Sequence, residues 1–293
     1  MKYLFISTEA ENHSVFLLCR VMGVSRSGYY AWQHRGSSDH ELKDERLKAN
    51  IKEIYVKNRS LYGVKNILEG LRREDIHISS RRCLRLMKEL HITGVSKRKK
   101  NPKTTVTDSR DTYADDLVKR NFTASEPNRV WFADITYVKT YAGWLYLAVV
   151  FDVFSRIIVG WSMSRSLASE LVDDALRMGI KRRRPGAGLV HHSDHGCQYC
   201  SLLFNKTLAK YDIKPSMGAV ASPWDNAITE SLISTIKAEC TDIKTYETFE
   251  EATLDIFDYI EVFYNRHRFH SALGMLTPME YEEAYYKRLA MAS

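Results

Sequence analysis

The periodicity of the chain changes once, and that change limits its architecture more than any other feature. From about residue 12 to 94 apolar residues recur three and four apart, which is helical spacing. After Pro127 they fall instead in β-branched and aromatic runs broken by turn residues. A segment patterned for one period cannot bury its apolar side with the other, so an all-α region must precede a strand-containing one. Between them KRKKNPKTTVTDSRD, residues 97–111, is polar and basic and reads as a linker. The expected division is a helical region at 1–96, a basic linker at 97–126 and an α/β domain at 127–293. With 293 residues, 44% of them hydrophobic, the chain can bury more than one core.

Charge follows the same division. Residues 1–100 hold 21 Lys and Arg against 11 Asp and Glu, whereas 101–293 hold 22 against 25, so the net +7 is entirely N-terminal. A basic module joined to a slightly acidic one suggests a polyanion-gripping part attached to a part with another task. Within the module VFLLCRVMGV and SRSGYYAWQHR predict a helix, a turn at Gly23 and a second helix capped by Ser25. A longer helix over ELKDERLKANIKEIYVKNR follows. LYGVKNILEGLRRED and SRRCLRLMKELHITG then form another pair across the break IHIS. The last helix carries Arg81, Arg82, Arg85 and Lys88, with Arg81, Arg85 and Lys88 on one face. Such helix-turn-helix-like pairs place a basic helix beside DNA phosphates, and Lys97, Arg98, Lys99 and Lys100 extend the basic surface.

The second half reads as three antiparallel strands (RVWFADITYVKT, WLYLAVVFDVFS, RIIVGWSMS), a helix over LASELVDDALRMGIKRR and a short strand GLVHHSD. A helix near LLFNKTLAKYD, a strand IKPSM and closing helices near 224–240 and 248–264 complete it. That is the element order of an RNase-H-like α/β domain, a mixed sheet with flanking helices. Asp134 interrupts the first strand, where aspartate is disfavoured and alternation turns it away from Ala133 and Ile135. Asp194 ends the fourth strand, at the edge where α/β sheets place ligand sites. Glu230 lies on a helix whose start is marked by Ser222, Pro223 and Asp225. Three carboxylates on separate elements suit two Mg²⁺ ions roughly 4 Å apart, with Mn²⁺ able to substitute, that clamp the attacking and leaving oxygens of a phosphodiester.

WFADITYV, HHSDHGCQY, WDNAITESLISTIKAE and YNRHRFHSALGMLTPMEY together resemble the DDE catalytic core of bacterial insertion-sequence transposases, a group related to retroviral integrases. Thirty-five residues separate Asp194 from Glu230, as between that family's second and third carboxylates, and Lys237 stands seven positions on, where the family carries a basic residue. The resemblance covers roughly residues 15–285. It implies Asp134, Asp194 and Glu230 as catalytic metal ligands and DNA cleavage followed by strand transfer. It further implies binding to the element's terminal inverted repeats and to target DNA, a homo-oligomer of at least two copies on DNA, and an upstream reading-frame protein that can be fused to this one.

The chain departs from the family at Cys197 and Cys200, where small hydroxyl residues are usual. With His191, His192 and His195 nearby, this CxxC invites a zinc reading, but the H-x-E and P-C-x-x-C pattern of zinc deaminases is missing and there is no second CxxC. The cysteines are read as small-residue replacements. Asp152 and Arg156, in FDVFSR, are expected to organise the turn between the second and third strands. Asn226, Arg268 and His270 are candidates for contact with DNA or support of the metal site. An odd count of five cysteines fits reduced thiols. Without a secretory signal or an apolar run of roughly 18 residues, the expected place is the bacterial cytoplasm, at the nucleoid, with no membrane partner. The rival readings are a DNA-binding regulator with a decayed catalytic domain and an RNase-H-type nuclease that cuts without joining.

Overall fold

The computed structural model describes residues 1–36, 38–95, 114–119, 123–218 and 227–292. Three short helices open the chain: α1 (Lys2–Glu9), α2 (Val15–Met22) and α3 (Arg26–Gln33). Ser14 and Ser25 cap the second and third through their side chains, and Gly23 takes the left-handed conformation (φ 61°) that stops α2. Ile6, Leu18, Cys19 and Tyr29 form their small core. Helix α1 extends this unit ahead of the region where the sequence pattern becomes helical.

α4 (Asp39–Lys57), α5 (Val64–Arg73) and α6 (Ser80–Glu89) follow. Ser38 and Glu41 close a capping box at the start of α4. Ile67 and Leu71 of α5 pack with Cys83, Leu86 and Met87 of α6, as the three-and-four spacing predicts. This core does not end at the helical module. The same apolar cluster runs on through Tyr62 to Phe263 and Phe269 and into the sheet.

The sheet orders its strands β3-β2-β1-β4-β5. β1 (Val130–Thr140), β2 (Gly143–Asp152) and β3 (Ile158–Ser164) are the antiparallel meander; β4 (Val190–Ser193) and β5 (Lys214–Met217) add in parallel. Alternation sorts β1 cleanly. Trp131, Ala133 and Ile135 pack toward α7 (Ser169–Arg183) and α8 (Leu202–Lys210), while Phe132 and Val138 pack toward α9 (Ala227–Ile236) and α10 (Phe249–Phe257). Helix α7 lies so close on β3 that a Cβ at Gly160 would meet the Ala175 carbonyl oxygen at 2.1 Å. Only glycine permits that approach.

α9 and α10 each run into a wider π-helical turn, Lys237–Thr241 and Asp258–Tyr264. The sequence suggested unbroken helices there. A last helix, α11 (Pro278–Ala292), lies beyond the final helix the pattern had suggested. Between β2 and β3, Asp152 behaves as expected: its carboxylate accepts from the backbone N–H of Asn128 (2.6 Å) and of Phe154 (2.8 Å). Arg156 contributes its main chain, donating to the Asp152 carbonyl at 2.9 Å. Among the described residues, no helix is long and apolar enough to cross a membrane.

Candidate active site

β4 is short, pairing with β1 only from Val130↔Val190 to Phe132↔His192, whereas β1 continues to Thr140. Asp194 follows directly on β4, and its charge acts on Asp134, two residues beyond the last β1–β4 pair. Phe132 and His192 stack at 4.6 Å, so these positions share a sheet face, and alternation along β1 returns Asp134 to it. It is the face covered by α9, whose Leu232, Ile233 and Ile236 are buried in the same core. Glu230 lies in the first turn of that helix and is exposed.

Local hydrogen bonds orient two of the carboxylates. Asp134 Oδ1 accepts from the N–H of Ile135 at 2.7 Å, and Asp194 Oδ1 from the N–H of Gly196 at 3.0 Å. A Cβ at residue 196 would come within 3.1 Å of that Asp194 oxygen, so glycine keeps the turn open. Burial, then the charge of Asp194, push the Asp134 carboxyl up to about 7; the Ile135 amide and Lys237 pull it down and Glu230 pushes it further up. Asp194, Glu230 and Lys237 thus lie close enough for their charges to act on this carboxyl. Half-buried Lys237 therefore lies on the Asp134 side, at the point where α9 gives way to its π turn.

Tyr199 was not expected from the sequence. It is buried, with its ring against His191 and Phe204, and burial together with the charges of Asp134 and Asp194 holds its phenol well above the usual range. Its position in HHSDHGCQY gave one signal, an aromatic a few residues past a carboxylate, which is too common to single out.

The donor set suits a hard divalent cation: carboxylate oxygens, one of them held toward its protonated form by burial and then by its neighbours' charge, a penalty a cation reverses. Among the described residues no three His, Cys, Asp or Glu side chains are placed to hold a single ion. Cys197 and Cys200 are reduced, the first exposed. Buried His191 packs on Phe204, and His192 Nδ1 lies 2.9 Å from Ser216 Oγ on the other sheet face, so these histidines are turned away from a common zinc position.

Arg82 and Arg85 both reach back to Asp44 of α4, at 2.6 and 2.5 Å. Arg81 and Lys88 are exposed on α6. Arg268 grips both oxygens of Glu239 at 2.7 Å, a packing contact inside the core, and stands 3.1 Å from His270 Nε2. Lys97, Arg98, Lys99, Lys100, Asn226 and the Ser222–Pro223–Asp225 helix start lie outside the described residues.

Integrase core domain models match residues 124–223 and 211–278, and an HTH-like domain model matches residues 41–100. The insertion element IS600 31 kDa protein of Shigella sonnei is 40% identical over 93% of this chain and all of its own length. Transposase InsF for insertion sequence IS3A of Escherichia coli is 33% identical over 96% of this chain and 98% of its own. The HTLV-2 integrase catalytic core domain in complex with magnesium covers 54% of this chain and 99% of its own at 19% identity, with a TM-score of 0.38. A helix-turn-helix module ahead of an integrase, RNase-H-like core, together with relatives matched from end to end, means that this chain belongs to the IS3 family of insertion-sequence transposases.

Proposed function

We propose that the chain cuts DNA at the terminal inverted repeats of a mobile element and joins the freed ends to other DNA. The observation that carries this reading is that Asp134, an acid inside β1, has Asp194, Glu230 and Lys237 close enough for their charges to act on it. Asp134 and Asp194 would hold one Mg²⁺, and Asp134 and Glu230 a second, with Mn²⁺ able to serve instead. When bound, the ions supply activation of the attacking oxygen and stabilisation of the departing 3′ oxygen.

The chain's own residues supply the rest. The end of short β4 leaves the Asp134 and Asp194 edge uncovered by a neighbouring strand, and Lys237 brings positive charge for the phosphate. Hydrolysis converts one phosphodiester and water into a 3′-OH and a 5′-phosphate. In joining, that 3′-OH attacks a second phosphodiester and releases another 3′-OH, so the number of ester bonds is kept and no external energy source is needed. Residues 1–96 would read the repeats, 97–126 would link, and 127–293 would perform the chemistry. Two ends must be held together, which calls for at least a dimer on DNA, with an upstream reading-frame protein as a further partner, in the bacterial cytoplasm.

Labelled terminal-repeat DNA incubated with protein and Mg²⁺ separates cutting, joining and binding on one gel. Asp134→Asn, Asp194→Asn and Glu230→Gln should each lower cutting and joining by about a thousandfold or more while binding persists. A variant that still cuts at the wild-type rate removes its residue from the site. Binding without cutting by the wild type favours the decayed regulator, and cutting without joining favours a nuclease.

A further inference from the structure

The β2–β3 turn holds one partly buried charge that no described side chain answers. Arg156 sits there with φ 63°, and its side chain lines a cavity of about 150 Å³ together with Phe151, Ser231, Thr235, Tyr264 and His270. Among the described residues no side chain forms a hydrogen bond or ion pair with its guanidinium. Asp152 attracts it from a distance, but both Asp152 oxygens already accept backbone N–H groups. Burial draws the Arg156 pKa down from its usual value, as for a charge partly withdrawn from water. A guanidinium stays charged in proteins regardless, so the fold carries this cost.

The surroundings suit a phosphate. A guanidinium presents two parallel N–H donors to a phosphate's oxygens. Arg268 can only donate, so His270 Nε2 accepts from it at 3.1 Å and the ring proton sits on Nδ1. Thr235 also lines the cavity, but it already donates to the Ser231 carbonyl at 2.8 Å and can only accept. Ser231 directly follows Glu230 on α9, which puts the cavity on the flank of the carboxylate site. We propose that Arg156 binds a DNA backbone phosphate in this cavity, on the strand whose neighbouring phosphate lies at Glu230. The proposal rests on the DNA-cutting reading for its occupant, and a free phosphate ion is the other source of the same chemistry.

The test uses the full chain, with DNA binding measured without metal so that cleavage plays no part. Arg156→Met removes the charge and keeps an unbranched side chain at the positive φ. With a ligand-binding role, the DNA-free variant melts no lower than wild type, its DNA affinity falls about tenfold, and its log-affinity against log-salt slope drops by about one. Arg156→Lys should keep that slope. A lower melting temperature with an unchanged slope would make Arg156 a structural residue and overturn the proposal. Inorganic phosphate stabilising wild type but not Arg156→Met, again with an unchanged slope, would assign the cavity to the free ion and also overturn it. A wild type that binds with the predicted slope yet never cuts sinks the transposition reading and leaves this site standing.

Discussion

Lys237 stands where regular helix ends, and its charge reaches Asp134. Replacing it removes a positive charge from beside a carboxyl that is already hard to ionise, and with it a cation that could meet a bound phosphate. Lys237→Ala should therefore lower cleavage of repeat ends about ten- to a hundredfold, the range for one charged hydrogen bond, with DNA binding little changed. Lys237→Arg should recover part of the loss, because its planar fork keeps the charge at a different geometry. Cleavage rates, with cross-linking from position 237 to the terminal nucleotides, check this; an alanine variant that cuts normally returns Lys237 to the surface. Asp134 was legible in the sequence because an acid inside an apolar strand breaks the pattern it sits in. Tyr199 and Arg156 were not, since a tyrosine near a carboxylate and an arginine in a turn are ordinary until their burial and partners are seen.

At the scale of elements, the strands and most helices followed from periodicity and capping residues. The π turns after α9 and α10 did not, because one extra residue per turn leaves the apolar spacing nearly intact. Helix α6 shows the other blind spot. Its basic face is visible in sequence, but not that Asp44, distant in the chain, engages Arg82 and Arg85. Hydrogen bonds from Arg85 and then Arg82 draw the Asp44 carboxyl from 3.8 down to about 2. A carboxyl depressed in the folded state stabilises it above its unfolded pKa and loses that contribution as pH falls toward the folded value. The melting difference between wild type and Asp44→Asn should thus be constant above about pH 5 and shrink as pH falls through 3.8 toward 2. A difference independent of pH over that range would mean that the pairs contribute nothing through charge.

For the whole molecule, the sequence separated a binding module from a catalytic one at a polar linker, and a linker's composition says nothing about surfaces that meet elsewhere. The modules meet at Tyr62. Its hydroxyl donates to the His267 carbonyl at 2.5 Å and accepts from the Phe269 N–H at 3.2 Å, and its ring lies 5.3 Å from that of Phe269. Arg73 adds Glu280 at 2.6 Å, and Arg59 pairs with Asp255 and Asp258. Tyr62→Ala should cost about 3–5 kcal/mol, as for other large aromatic truncations in cores, and should lower one shared unfolding transition. Two separate transitions in denaturant, only the first moved by the substitution, would show that the modules fold independently. Because α6 and the strand that carries Asp134 rest on one continuous core, a DNA-reading α6 and a cutting site at Asp134 would be held at one spacing, like a caliper with its jaws locked. An element whose recognised sequence stood one base pair farther from its tip, about 3.4 Å along the strand, would offer these carboxylates the wrong phosphate.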